Sequence, residues 1–259
     1  MQSIYQYINN KFTKSIIDCH VHLFGDGIIH KYPYKGITDY ICMVENSIRY
    51  PERTLIKDFD KFIKSNNSCK LLCVGSTPDE TLEIYNKYTD KISGFGEIKC
   101  YKRAICSDNV LREVYDTSIL KSVLDKNLPV FIHWDLDRKH DEELYDIIKE
   151  NPKTKFVLCH CGINRLNNAQ DSFETAISYQ AKLPNLWLSI SWDAFDYFVD
   201  DSYSINDRQL ARIVNPYQVI VGTDFNPEMP KSELESRYKK FIKIYNKFDV
   251  PMNLNNLFA

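Results

Sequence analysis

The sequence predicts an α/β protein: a single (β/α)8 barrel of the TIM type, distorted, with a weak second strand. Three observations predict it. The 259 residues are close to the roughly 250 that one such barrel needs. Short apolar runs rich in Val, Ile, Phe and Cys alternate with longer amphipathic ones, the pattern of parallel strands with helices packed outside them. Several of the apolar runs end in a histidine or an aspartate, at the strand ends where parallel sheets place their sites. No repeat, low-complexity tract or linker divides the chain, so one domain over 1–259 is expected. An open doubly wound sheet is the rival architecture, but no glycine-rich GxGxxG turn supports it.

Strands are expected at Ile16–Phe24, Lys70–Gly75, Ile92–Cys100, Pro129–Trp134, Phe156–Cys161, Leu186–Ser191 and Val219–Phe225, mostly bounded by Gly, Pro, Asn or Asp. A barrel needs one more. Ile28–Asn67 is assigned to it, as a degenerate second strand or an inserted helical segment. Helices are expected at Pro78–Tyr88 with Thr77 as N-cap, Asn109–Lys126, Asp141–Glu150 ending at Asn151-Pro152, Phe173–Lys182 and Ser232–Lys247.

With 44% hydrophobic residues the chain can bury one large core. The 33 basic and 35 acidic residues give a net charge of −2, which provides no electrostatic footprint for nucleic acid. A small-molecule substrate is the expected partner; oligomeric state is left open. Met1–Lys14 is polar and lacks an apolar signal core, and no apolar run approaches a membrane span. A cytoplasmic location with reduced thiols is therefore expected for the eight cysteines. Cys19, Cys100 and Cys159 fall in strand-like runs, where Cys serves as a small buried hydrophobe. Cys159 and Cys161 flank His160, but no second close pair supports a zinc ribbon. Cys69 and Cys73 come nearest, and Cys73 lies within a strand pattern.

Function is concentrated at the strand ends. In Ile16-Ile17-Asp18-Cys19-His20-Val21-His22 the strand period places His20 and His22 on one face, able to bind one metal ion together, with Cys19 and Val21 on the other. Val130–His133 ends in an imidazole, as does Phe156–His160, and Val219–Asp224 ends in a carboxylate. Gly222 shares a face with Asp224 and is expected to leave room beneath it. Each histidine alone reads as a satisfied structural residue, and Asp224 alone as a helix cap. Four of the six histidines closing strands, with the carboxylate last, is a metal-site pattern. His30 and His140 sit in polar segments and are expected to face solvent.

The segments DCHVH, FIHW, LCHCG and GTDF, in that order over Asp18–Phe225, resemble the amidohydrolase superfamily. CHCG and GTDFNP resemble in particular its amidohydrolase-related branch of lactonases, amide hydrolases and non-oxidative decarboxylases. GEIK at Gly96–Lys99 is similar to a segment of TatD-like hydrolases. The resemblance implies a divalent metal, zinc by default and one or two ions, held by His20, His22, His133, His160 and Asp224. It implies Glu97 as a bridging ligand. The alternative for Glu97 is a buried pair with Lys99, which shares its strand face. The resemblance makes Asp224 the group that takes a proton from water, and gives His160 either a metal-binding or a carbonyl-polarising role. The implied reaction is hydrolysis of an amide, ester or lactone bond in a small polar substrate. The alternatives are a TatD-like two-metal phosphodiesterase or deoxyribonuclease, a metal-dependent decarboxylase and a non-catalytic metal-binding scaffold. Lys99, Trp134, Arg138, Arg165 and Trp192 are substrate-binding candidates because they follow strand ends, as do Lys102, Arg103 and Asp193.

Overall fold

A computed structural model describes residues 16–23, 37–45, 60, 69–105, 111–136, 140–163, 168–225 and 229–259. Ten strands are seen among them: β1 (Ile16–Leu23), β2 (Ile37–Glu45), β3 (Lys70–Val74), β4 (Ile92–Lys99), β5 (Tyr101–Ile105), β6 (Leu111–Tyr115), β7 (Val130–His133), β8 (Phe156–Leu158), β9 (Leu186–Ile190) and β10 (Val219–Val221). Eight form one parallel sheet in the order β1-β2-β3-β4-β7-β8-β9-β10. Its two ends meet through a parallel bridge between Val21 and Phe225, where the His22 N–H donates to the Phe225 carbonyl over 2.7 Å. The sheet thus curls into the expected (β/α)8 barrel.

The helices follow the strands. They are α1 (Pro78–Lys87), α2 (Ser118–Val123), α3 (Asp141–Glu150), α4 (Ala169–Lys182), α5 (Asp193–Phe198), α6 (Asp207–Leu210), α7 (Lys231–Tyr245) and α8 (Val250–Phe258). α1 begins where the sequence signals it: the Thr77 side chain accepts from the Glu80 N–H, Pro78 opens the first turn, and Asp79 and Glu80 complement the helix dipole. The core lies on both sides of the strands. Cys19, Val21, Phe95, Phe131, Phe156 and Trp187 are among its members.

Two expectations need correction. The second strand is not weak: β2 has nine residues and pairs in parallel with β1 and β3. Polar Thr38, Asp39 and Tyr40 hide its start in the sequence. The irregularity lies instead in the β1–β2 register, which shifts between Asp18 and Val21. The long helix expected over Asn109–Lys126 is short. Its first part is β6, antiparallel to β5 in a hairpin inserted after the fourth barrel strand, and α2 starts only at Ser118. Leu111, Val114 and Tyr115 are apolar at spacings that suit either element, so periodicity alone misassigns them. The C-terminal α8 went unexpected; its Asn253 side chain, fully buried, donates to the Pro216 and Val219 carbonyls. Among the described residues no helix is long and apolar enough to cross a membrane.

Candidate metal centre

Six side chains from five strand ends converge at one mouth of the barrel. The first barrel strand supplies His20 and His22, the fourth Glu97, the fifth His133, the sixth His160 and the eighth Asp224, none more than 9% exposed. The strand period does as expected at β1: both imidazoles point inward, while Cys19 and Val21 are fully buried behind them. His20 Nε2 and His22 Nε2 lie 3.1 Å apart, and Asp224 Oδ1 is 3.2 Å from the first and 2.8 Å from the second. Glu97 stands between this group and the other two histidines. Its Oε1 is 3.1 Å from both His133 Nδ1 and His160 Nε2, and its carboxylate is 3.8 Å from His20 and 3.6 Å from His22.

Three groups of three donors result, each with its ligand atoms within 4.8 Å of one another: His20/His22/Asp224, Glu97/His133/His160 and His20/Glu97/Cys159; the first two have no member in common and make up the two donor sets of the centre. Imidazole and carboxylate donors in this number fit a divalent first-row cation such as zinc or manganese. The electrostatics agree. Burial works to raise the Glu97 carboxyl pKa, but His133, His160 and His20 outweigh it and hold it well below the usual range. Asp224 is likewise held low by His20 and His22 against its burial. Burial lowers the His20 imidazole, whereas Glu97 and Asp135 overcome burial at His133 and push it up to about 10.

The backbone is bent to deliver these groups. His160 and Cys161, both at φ 54°, leave β8 in a left-handed turn ahead of Gly162, and Asp224 (φ 55°) and Trp192 (φ 41°) are left-handed too. Such conformations cost non-glycine residues of order 1–3 kcal/mol each and collect at functional sites. The turn also corrects the strand reading of Phe156–Cys161: β8 stops at Leu158, so the adjacent Cys159 and His160 both reach Glu97. Gly222 makes room for a different neighbour than expected. A Cβ there would collide with the His20 backbone and Cβ, so the glycine admits β1 against β10.

Three supporting residues were not singled out from the sequence. The Asp18 carboxylate accepts from the Thr223 N–H (2.8 Å), the Thr223 hydroxyl (2.6 Å) and the His20 N–H (3.2 Å), tying the HxH strand to the aspartate strand. Strand parity could have found it, since Asp18 shares the face of His20 and His22. Ser191, just past β9, sets its Oγ 2.9 Å from His160 Nδ1 and 3.4 Å from His20 Nδ1; its alternation with Ser189 was the available signal. Arg237 on α7 donates to Asp224 Oδ2 (3.2 Å) and to the Asp224 carbonyl (3.0 Å), while Glu233 Oε1 accepts from it over 2.5 Å. In the sequence this reads as a Glu-Arg i,i+4 surface pair, which conceals an arginine only 9% exposed.

Of the substrate candidates, Trp192 meets His160 edge-on at 5.4 Å and lies under the Arg237 guanidinium at 5.6 Å. Lys99 is half-buried at the end of β4, two residues past Glu97. Trp134 is 1% exposed and packs edge-on against Tyr115, and Asp193 is buried at the start of α5. Lys102 and Arg103 fall on β5. Arg138, Arg165, His30 and Cys106 lie outside the described residues. His140, expected to face solvent, is half-buried and stacked on Tyr115 at 3.9 Å. The other seven cysteines form no disulfide.

Residues 107–244, more than half of the chain, match the amidohydrolase family model, across His133, His160, Trp192 and Asp224. The chain belongs to the amidohydrolase family. Its fold is shared by solved structures along nearly the whole length. One is an apo protein of Agrobacterium tumefaciens (13% identity, TM-score 0.60, 96% of this chain and 95% of that one). Another is an amidohydrolase of Burkholderia multivorans with bound zinc (11%, TM-score 0.57, 95% and 99%). A third is a dihydroxybenzoic acid decarboxylase of Polaromonas sp. JS666 with manganese and 2-nitroresorcinol (12%, TM-score 0.53, 95% and 97%). At these identities the likeness is one of fold. No curated protein sequence matches the chain.

Proposed function

We propose that this amidohydrolase-family member is a metal-dependent hydrolase that cleaves an amide, ester or lactone bond in a small polar molecule. The observation that carries the reading is the division of labour at Asp224. One carboxylate oxygen faces both imidazoles of the HxH pair, and the other is held by Arg237. A divalent ion, zinc by default, would supply Lewis acidity here, lowering the pKa of water and polarising the scissile carbonyl.

The chain's own groups do the rest. Asp224 takes the proton released as water adds to the carbonyl and returns it to the leaving group, so that one water is consumed per bond broken. His20, His22 and Asp224 form one donor set. Glu97, His133 and His160 form a second, and the Glu97 carboxylate lies between the two, 3.8 Å from His20 and 3.6 Å from His22. Trp192 forms an apolar wall beside His160, and Lys99 stands at the rim to meet a polar substituent. Burial of all six donors keeps bulk water from competing for them.

The test begins with elemental analysis of protein purified without chelator, followed by a screen of esters, lactones, amides, phosphodiesters and aromatic carboxylates. Metal-dependent turnover of one of the first three, abolished in Asp224→Asn, is expected. Protein that takes up no divalent ion on reconstitution sinks the metalloenzyme reading. Release of carbon dioxide without water uptake would assign the chain to decarboxylation instead, and turnover confined to phosphodiesters would assign it to the nuclease-like reading.

A further inference from the structure

Ser191 touches one histidine from each donor set. Its Oγ lies 2.9 Å from Nδ1 of His160, 3.4 Å from Nδ1 of His20 and 3.3 Å from the hydroxyl of Ser189. All four residues are buried, the most exposed at 3%. A hydroxyl has one proton to give and two lone pairs to receive with, and three partners fill that capacity. An imidazole that binds a cation through Nε2 carries its proton on Nδ1, and that N–H needs an acceptor to fix the ring. Both Nε2 atoms face the centre, where His20 Nε2 approaches Asp224 and His160 Nε2 approaches Glu97.

We propose that Ser191 is a positioning residue that orients His20 and His160 together and so couples the two donor sets through one hydroxyl. In the metal-loaded protein it accepts both Nδ1–H bonds and donates its own O–H to the Ser189 hydroxyl. Substituting any one of the histidines removes a single donor; removing this hydroxyl loosens a ring in each set at once. The inference rests on the metal-dependent reading above.

The experiment compares wild type, Ser191→Ala, Ser191→Thr and Ser189→Ala, using zinc as the probe. Zinc affinity is measured by competition with a chelator, and imidazole tautomers are read by long-range 1H–15N NMR of the loaded protein. The wild type is expected to show His20 and His160 both as Nδ1–H tautomers with slowly exchanging protons. Ser191→Ala should bind zinc about 10–100-fold more weakly and lose both slow protons, with the circular dichroism unchanged. Ser191→Thr keeps the hydroxyl and should keep the tautomers. Ser189→Ala removes only the acceptor of the serine's own proton and should give a smaller loss; it carries the test if Ser191→Ala does not fold. Zinc affinity and Nδ1 protons unchanged in Ser191→Ala overturn the proposal while leaving the metal reading intact. A wild type that binds no zinc overturns both.

Discussion

At the scale of single residues, the centre concentrates charge that burial would otherwise forbid. Arg237 shows the consequence. It is 9% exposed and bonded to Asp224, and taking one partner from a buried pair leaves the other uncompensated. Arg237→Ala should destabilise the metal-free protein by about 3 kcal/mol in denaturant titration. Zinc should restore part of the loss, because a cation then faces Asp224; a variant as stable as wild type would mean the pair contributes nothing. Glu97 belongs to the second donor set, and its carboxylate comes within 3.6 Å of His22 in the first. A Glu97 that bridges two ions gives two metal equivalents in wild type and one in Glu97→Gln by elemental analysis; equal content in the two proteins would end its reading as a bridging ligand. His133 gives a pH dependence. Its folded pKa is raised from 6.5 to about 10, so its contribution to the metal-free protein is complete below 6.5 and is lost as pH rises through about 10. Between those values the folded protein holds a proton that a cation at His133 must displace. Zinc binding at about pH 8, within that window, should release this proton, seen as buffer-dependent heat in calorimetry. His133→Ala should remove that share of the release.

At the scale of elements, what could be read in the sequence follows what each element does with its side chains. Parallel strands buried on both faces give continuous apolar runs, so β3, β4, β7 and β9 stood out, and α3 showed both its boundaries. β2 did not, since its first residues are polar, and the β5–β6 hairpin did not, since half of it has helix-compatible spacing. The six candidate ligands on five strands could be picked out because strand ends and strand parity are local rules. Ser191 and Arg237 were not, because their roles depend on which distant strand or helix comes to lie beside them. The left-handed turn at His160 was hidden too: Cys159 and His160 reach Glu97 together only because β8 ends early. Gly222 marks where two elements touch. Gly222→Ala would press a methyl group into the His20 backbone, which cannot yield as a flexible side chain can. Destabilisation by about 1–3 kcal/mol in chemical denaturation is expected, with weaker zinc binding because β1 carries the HxH pair. A variant with wild-type stability and metal affinity would show that the seam has slack.

At the scale of the whole molecule, the barrel is closed unevenly. Seven of the eight strand junctions are parallel ladders of three or more residue pairs. The eighth, between β1 and the segment after β10, has one bridge, the His22–Phe225 bond and the Asp18–Thr223 bonds. His20 and His22 lie on one side of this seam and Asp224 on the other, so a cation held by all three would tie its edges together. The β8–β9 junction, two removed from the seam, is instead a regular ladder, with His160 just past its end. Ligand binding to the native state raises stability by RT ln(1 + [L]/Kd), about 4 kcal/mol at a thousandfold excess over Kd, and local opening governs where the gain is felt. Chelation should therefore lower Tm and, more tellingly, should speed amide exchange unevenly. The His22 amide, which donates to Phe225, and the Thr223 amide, which donates to Asp18, should lose protection first. The Phe156 amide, which donates to Asn185 in the regular β8–β9 junction, should change least. Hydrogen exchange of the protein with and without chelator measures this residue by residue. Equal loss of protection around the barrel would mean that metal stabilises the fold only as a whole, and that the seam closes without it.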